Sequence, residues 1–216
     1  MVTRVSATTA GSERIQAAVA ASLLAGCAVI GFAVGALVGS AGGGGADDQV
    51  PVSTDAPWEG EVAPVAATVV EASCESDSSR DATGARVTYE PDLAVDDDPE
   101  SAWRCPGDGV DESLVLDLGG SVRVAEVGLV PGYAKTDPAD GTDRYAENRR
   151  LTMVRWRFDD GTTVEQELDP DPANRDLQTT RMPPTATSRL VMEIVASSGG
   201  SRDTVAVSDL QIAAPA

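Results

Sequence analysis

The sequence predicts an all-β fold, an antiparallel sandwich or barrel, for residues 68–214, which follow an apolar segment at 15–38 and a linker at 39–67. Apolar residues recur at every second position in short runs such as Leu114–Leu118 and Val154–Phe158, the period of half-buried strands. Turn-forming clusters separate these runs. No stretch of this part keeps a helical period over three turns, so the β class is favoured.

Turn-forming residues mark the ends of the predicted strands. A third alternating run, Leu190–Ile194, stops shortly before such a cluster. Asp160-Gly161, between WRF and TTVEQEL, is typical of a tight β-hairpin. The predicted turns are Gly119-Gly120, Asp159-Asp160-Gly161, Pro170-Asp171-Pro172 and Ser198-Gly199-Gly200.

Composition excludes several classes of function. A net charge of −19 argues against nucleic acid as a partner, because phosphate binding needs clustered Lys and Arg. The chain has no histidine, which removes Ser-His and Cys-His catalysis and imidazole metal sites. Its three cysteines lack the CxxC spacing of a zinc ribbon.

The N-terminal part is predicted to cross the cell membrane once, as an uncleaved signal anchor. Residues 15–38 carry no charged side chain, and the apolar core of a bilayer needs about 20 helical residues. Arg4 and Arg14 precede this run. Because positively charged residues beside a membrane helix stay in the cytoplasm, we expect residues 1–14 in the cytoplasm and residues 68–214 outside the cell.

Alternatives for this apolar run stay open. Leu24–Cys27 resembles a lipobox, in which Cys27 would be lipidated, but an apolar stretch follows it where lipoproteins turn polar. A cleaved secretory signal is another alternative, although the run is long for one. Gly31, Gly35 and Gly39 recur every four residues and predict helix–helix dimerisation, unless these small residues face lipid.

Residues 39–67 are predicted to be a flexible tether. Glycines fill 42–45, and prolines with interleaved acidic residues resist packing. Trp58 stands out in this segment, and two positions are open to it: the membrane interface or the surface of the β domain.

Cys74 and Cys105 both lie in the part expected outside the cell, where thiols oxidise. We therefore predict a disulfide between them, worth roughly 3–4 kcal/mol in the chain-entropy treatment. The alternative is two separate buried thiols.

Three segments carry a family resemblance. LAVDDDPESAWRC (93–105), ESLVLDLGGSVRVAEVGLVPGY (112–133) and VAVSDLQI (205–212) resemble discoidin domains, also called coagulation-factor type C domains. GYAKTDPADGTDRYAENRR (132–150) is similar to a bacterial subgroup that includes the glycan-binding, translocation-type domain of an NAD glycohydrolase. Such domains also occur outside a membrane helix in bacterial proteins.

This resemblance implies a galactose-binding-like jelly-roll sandwich with its loops gathered at one end. It also implies a binding module and not an enzyme, recognising a glycan or cell-wall polysaccharide; the alternative is a scaffold that binds an envelope protein. Carboxylate pairs for glycoside hydrolysis can arise by chance among 35 acidic residues, so catalysis is not expected. Trp103 and Trp156 are expected in the core.

The polar segment 132–150 is the candidate binding loop, because loops this long inside compact domains are usually functional or disordered. Tyr133 and Tyr145 offer rings for the apolar face of a sugar. Alternatively, acid–arginine pairs brace the loop and the tyrosines pack on the sandwich. The donors and acceptors expected to bind sugar hydroxyls are Lys135, Asp137, Asp143, Arg144 and Asn148.

The only cofactor expected is a structural calcium ion, which the resemblance implies for an acidic turn. Asp96, Asp98 and Ser101 match the turn, and Asp209 matches an acidic residue of the closing strand. Oxygen ligands suit Ca²⁺. Asp97 replaces the usual glycine and Asp209 the usual Glu, and the alternative is a solvated acidic turn.

Overall fold

The computed structural model of the protein describes residues 56–216, which form eleven β-strands and two single-turn helices. The helices are a 3₁₀ turn at Pro91–Ala94 and α1 at Arg144–Glu147. The strands are β1 Val62–Val65, β2 Thr68–Ala72, β3 Ser79–Arg80, β4 Arg86–Val87, β5 Trp103–Pro106, β6 Ser113–Val130, β7 Leu151–Phe158, β8 Thr163–Glu167, β9 Gln178–Ser197, β10 Thr204–Val207 and β11 Asp209–Pro215.

Every strand pairing is antiparallel. The largest sheet has the order β1-β11-β6-β9-β7-β8, and β2 also pairs with β6. Strands β5 and β10 form a two-stranded sheet, as do β3 and β4. β7 and β8 are the hairpin predicted around Asp160-Gly161.

The two longest strands, β6 and β9, change neighbours along their length. At Leu114–Asp117, β6 lies between β2 and β9, and from Glu126 onward it lies between β9 and β11. The register slips between these halves, where Gly119 has a φ of 71°. The turn predicted at Gly119-Gly120 is therefore wrong: the chain passes through a bulge within one strand.

Side chains from both halves of β6 and β9 meet in a single apolar core. Trp103 and Trp156 are completely buried in it, as predicted. Their indole nitrogens donate to the carbonyl oxygen of Cys74 at 2.9 Å and to Gln166 Oε1 at 3.0 Å. A second, smaller cluster contains Tyr89, Ala102, Tyr133 and Ala206.

Cys74 and Cys105 form a disulfide, as predicted, with their Cα atoms 5.6 Å apart. Cys105 is fully buried on β5, and Cys74 follows β2. The bond therefore ties the segment after β2 to the small β5–β10 sheet.

The predicted linker extends too far toward the C-terminus. Val62–Val65 form β1, which pairs with the last strand, β11. Trp58 also docks on the domain: its backbone N–H donates to the Met182 carbonyl oxygen at 3.0 Å, and Arg181 Nη1 donates to its carbonyl oxygen at 3.3 Å. The prolines and acidic residues of this segment made it look like a linker, although a strand at the edge of a sheet tolerates both.

The predicted cytoplasmic segment 1–14, membrane helix 15–38 and glycine dimer stripe at Gly31, Gly35 and Gly39 lie outside the described residues, as does Cys27. Within residues 56–216, no helix is long and apolar enough to cross a bilayer.

Candidate functional site

A cleft lies where three loop regions of the sandwich meet. The β3–β4 hairpin forms one wall, the 132–150 loop forms another, and Arg202 of the loop before β10 closes the rim. Arg104 of β5 and the ring of Tyr89 reach it from below. The cleft encloses about 460 Å³ of empty space, counting the part open to solvent.

The 132–150 loop is held by a buried anchor. Tyr145, in α1, is completely buried, with the guanidinium groups of Arg150 and Arg175 centred 5.8 Å and 5.5 Å from its ring. A Cβ atom at Gly132 would lie 2.6 Å from this ring, so only glycine lets the ring pack there. Arg150 Nη1 donates to the carbonyl oxygens of Tyr145 and Asn148 at 2.9 and 3.1 Å.

α1 begins at an N-cap that the sequence supplies. Asp143 Oδ1 accepts a hydrogen bond from the Ala146 N–H at 3.0 Å, which satisfies one of the free donors of the helix start. The other oxygen of Asp143 forms an ion pair with Arg175. One oxygen of this carboxylate therefore caps α1, and the other ties the loop to the segment between β8 and β9.

Asp137 and Arg144 form an ion pair at the edge of the cleft. Arg144 Nη2 donates to Asp137 Oδ2 at 2.9 Å, and the Ala139 N–H donates to Asp137 Oδ1 at 3.1 Å. These two interactions, the arginine first, lower the pKa of Asp137. Arg144 also pairs with Glu147 at 3.0 Å, so its charge is shared between two acids.

A partly buried chain of hydrogen bonds connects the loop to the small sheet. Arg104 Nη2 donates to Thr204 Oγ1 at 2.8 Å, and that hydroxyl donates to Asn148 Oδ1. Asn148 Nδ2 in turn donates to the Arg144 carbonyl oxygen at 2.6 Å. The position of Arg104 and the shape of the loop are therefore coupled.

The aromatic floor of the cleft is nearly inaccessible. Tyr89 and Tyr133 meet edge to face, with ring centroids 6.2 Å apart, and are 5% and 4% exposed. Burial raises the pKa of Tyr133 to about 12. Neither ring offers a free face on which a sugar could stack.

The structure brings most of the predicted binding residues together. Five of the seven line the cleft: Tyr133, Lys135, Asp137, Arg144 and Asn148. The other two, Asp143 and Tyr145, do not line it.

The stacking roles predicted for the two tyrosines need correction. Tyr145 faces the interior because the loop folds back over it, and Tyr133 lines the cleft but is only 4% exposed. The sequence of the loop gave no sign of this burial, because it has no regular apolar pattern from which buried positions could be predicted.

Sequence reasoning missed the cationic residues that other segments bring to the cleft. Arg80 comes from the β3–β4 hairpin, Arg104 from β5 and Arg202 from the loop before β10. The turn at Asp81–Gly84, flanked by Arg80 and Arg86, was an available hairpin signal. Nothing local marks Arg104, because its burial depends on β10 and on Tyr89.

The predicted calcium turn adjoins this cleft. A shallow surface groove lined by Tyr133 and Lys135 extends from the cleft to Asp98 and Ser101. Ser101 Oγ lies 2.8 Å from Asp96 Oδ2 and 3.2 Å from the carbonyl oxygen of Asp98, so several oxygens converge here.

Asp209 gives the turn a chemical reason to bind a cation. Its Oδ1 is buried without a hydrogen-bond partner, and its Oδ2 accepts from Gln211 at 3.0 Å. Burial, followed by the charges of Asp97 and Asp96, raises the pKa of Asp209. Asp97 has a φ of 60°, the conformation that favours the glycine it replaces, and aspartate tolerates it.

These residues fit a calcium ion by donor type, with backbone and hydroxyl oxygens needed to complete the set. Within residues 56–216, no group of three or more carboxylates or cysteines is arranged to hold a metal by itself. Asp96, Asp98, Ser101 and Asp209 are the side chains that would hold the ion, which would supply positive charge to the unpaired Asp209 oxygen.

Comparison with known proteins identifies the architecture. The model of a family described as the NAD glycohydrolase translocation F5/8 type C domain matches residues 65–213. Among curated proteins, no relative matches this chain.

Solved structures of low sequence identity share the fold. CBM32-3 from a family 31 glycoside hydrolase of Clostridium perfringens is 14% identical, with a TM-score of 0.50, and the match covers 68% of this chain and 90% of that one. The family 32 CBM of C. perfringens NanJ, solved with galactose, is also 14% identical, with a TM-score of 0.49 over 71% of this chain and 99% of that one. The galactose-binding-like jelly roll predicted from the sequence is confirmed.

Proposed function

Because the chain belongs to the family of NAD glycohydrolase translocation F5/8 type C domains, we propose that it is a non-catalytic module that binds a glycan through the cleft. One observation carries this proposal: five of the predicted binding residues, although spread over 133–148, line one cleft at the loop end of the sandwich. The fold shared with a carbohydrate-binding module of Clostridium perfringens supports it.

The polar groups of the cleft suit sugar hydroxyls. Lys135 of the 132–150 loop and Arg202 of the loop before β10 line the cleft as donors, and Arg80 of the β3–β4 hairpin adds a third. The Arg202 guanidinium is held by Glu147 at 3.0 Å before any ligand arrives, which reduces the ordering entropy that its side chain loses on binding.

We further propose that the module works outside the cell, anchored to the membrane by residues 15–38 as an envelope component. The Cys74–Cys105 disulfide supports this placement, since such bonds persist in oxidising compartments. Dimerisation through Gly31, Gly35 and Gly39 remains a prediction of the sequence.

Binding of the intact, detergent-solubilised chain to a glycan array tests the proposed function. The double variant Lys135→Ala/Arg202→Ala removes one donor from each of two loops that line the cleft, and we expect at least tenfold weaker binding, about 1.4 kcal/mol. The matched control, Arg123→Ala/Arg189→Ala, removes the same charge from exposed strand positions that do not line the cleft, and should bind like the wild type.

A pull-down from envelope extracts runs beside the array. A blank array together with capture of one envelope protein would contradict the glycan proposal and favour the scaffold alternative. Equal loss in the cleft and control variants would remove the cleft from the binding site.

A further inference from the structure

The cleft reverses the charge of the chain that carries it. The whole sequence has a net charge of −19, yet the cleft is lined by five cationic side chains and only two carboxylates. The cationic residues are Arg80, Arg104, Lys135, Arg144 and Arg202. Clefts lined by one sign of charge concentrate ligands of the opposite sign.

Both carboxylates of the cleft are engaged by the protein itself. Asp137 is paired with Arg144 and with a backbone N–H. Asp81 Oδ1 accepts from the backbone N–H groups of Thr83 and Ala85, each at 2.9 Å, and so stabilises the β3–β4 turn. Neither acid neutralises the remaining arginines or the lysine.

Three of the cationic residues have no acidic partner. Among residues 56–216, no carboxylate lies within 4.0 Å of the charged groups of Arg80, Arg104 or Lys135. Arg80 donates only to the Gly84 carbonyl oxygen, at 2.7 Å. The side chains of Arg144 and Arg202 instead share Glu147, with distances of 3.0 Å each.

Arg104 is the most deeply buried of these cationic residues. It is 6% exposed, its Nε is buried with no hydrogen-bond partner, and its guanidinium carbon lies 4.2 Å from the centre of the Tyr89 ring. Burial lowers the pKa of this guanidinium. A buried charge without a counter-ion is unfavourable unless a partner compensates it, so an anionic ligand would relieve a cost that the sandwich bears alone.

The cationic donors Arg80, Lys135 and Arg202 keep accessible surface at the cleft, whereas its tyrosine rings are buried. We propose that the glycan recognised here is anionic and that its acidic group, a carboxylate or a phosphate, binds against Arg104 and Lys135, with Arg80 at the rim. Guanidinium groups match the geometry of both anions. This inference rests on the proposed glycan-binding function and specifies its ligand class.

The test uses the intact chain on an array that holds neutral, carboxylated and phosphorylated glycans. We expect only anionic glycans to be bound. Their binding should weaken at least tenfold when NaCl is raised from 50 to 500 mM, because the Debye length then falls from about 14 Å to about 4 Å. Carboxyl reduction or phosphatase treatment of each bound glycan then shows which acidic group is required.

Variants test the residues. Lys135→Gln should weaken binding at least tenfold, Lys135→Arg should restore most of it, and Arg104→Gln should abolish it. Arg123→Gln, an exposed arginine that does not line the cleft, is the matched control and should bind normally. Lys135 is only partly buried, so its variants stay informative if Arg104→Gln does not fold.

The outcomes separate the two proposals. Neutral glycans bound as tightly as charged ones, or Lys135→Gln binding like Arg123→Gln, would overturn the charge inference and leave glycan binding intact. A blank array would overturn both.

Discussion

Burial divides the polar residues of the 132–150 loop into supporting and accessible groups. Tyr145 and Asn148 are buried and hold the loop together. Lys135 and Arg144 keep part of their surface at the cleft and can contact a ligand. Residue type alone does not distinguish these roles, because the same donors and acceptors serve both purposes.

The hydroxyl of Tyr145 allows a sharp test at this scale. It is buried without a partner, and an orphaned buried polar group costs about 1–3 kcal/mol. We therefore expect Tyr145→Phe to leave the free energy of unfolding unchanged or raise it by about 1 kcal/mol. Tyr145→Ala should lower it by about 3–5 kcal/mol through the cavity it creates.

Urea denaturation of the intact chain measures both changes, with Tyr89→Phe as the comparison. The Tyr89 hydroxyl lies 2.7 Å from Ser79 Oγ, so its loss should cost about 0.5–1.5 kcal/mol. If Tyr145→Phe proved as destabilising as Tyr89→Phe, the Tyr145 hydroxyl would have a partner after all.

At the scale of the elements, the junction of β6 and β11 holds both predicted sites at one edge. Asp209, the first residue of β11, pairs with Val130, the last residue of β6, and the candidate binding loop starts two residues later. Ser208 Oγ accepts from the Ala134 N–H at 2.9 Å, which fixes the start of that loop. The acidic turn at 96–101 contributes its charge to the same edge.

We propose that this edge binds calcium, and Asp209 gives the proposal a pH signature that can be tested. The pKa of Asp209 is raised in the folded protein, so the folded state holds the proton more tightly than the unfolded state. Ionised Asp209 therefore costs stability above its folded pKa, and the cost fades as the pH falls toward 3.8. Asp209→Asn should raise the Tm at pH 7 in EDTA by about 2–4 °C, and this gain should shrink at low pH.

Added calcium should raise the Tm of the wild type and of Glu71→Gln, an exposed control, but not that of Asp209→Asn. Differential scanning calorimetry with EDTA and with calcium measures both effects. A wild-type melting curve that is the same in EDTA and calcium would show that the turn is a solvated acidic turn.

At the scale of the whole molecule, one covalent bond links regions that the strand pairings leave separate. The β5–β10 pair forms its own sheet and carries Arg104 into the cleft, while Cys105 of β5 is bonded to Cys74 after β2. The disulfide closes a loop with a sequence separation of 31 residues. It therefore positions the floor of the cleft relative to the main sheet.

Reduction of the disulfide should lower the Tm by about 7–15 °C, equivalent to roughly 3–4 kcal/mol for a loop of this length. Thermal melts with and without a reductant measure this change. The variant Cys74→Ser/Cys105→Ser should melt at the temperature of the reduced wild type and should not respond to reductant. If reductant still lowered the Tm of this variant, the effect would have to come from Cys27, the third cysteine of the chain.

The sequence by itself determined the β class and the hairpin at Asp160-Gly161, because strand alternation and turn chemistry are recorded in local spacing. It also determined the cysteine pair, because Cys74 and Cys105 both lie in the part expected outside the cell. The length and polar side chains of the 132–150 loop made it the candidate binding loop.

Only the tertiary structure decided the composition of the cleft. Arg80, Arg104 and Arg202 are far apart in the chain and meet because β3, β5 and the loop before β10 end at the same place. The structure also turned Tyr145 inward and assigned β1 to the sandwich. Burial and convergence depend on contacts between distant segments, and no local pattern of residues specifies which of those contacts form.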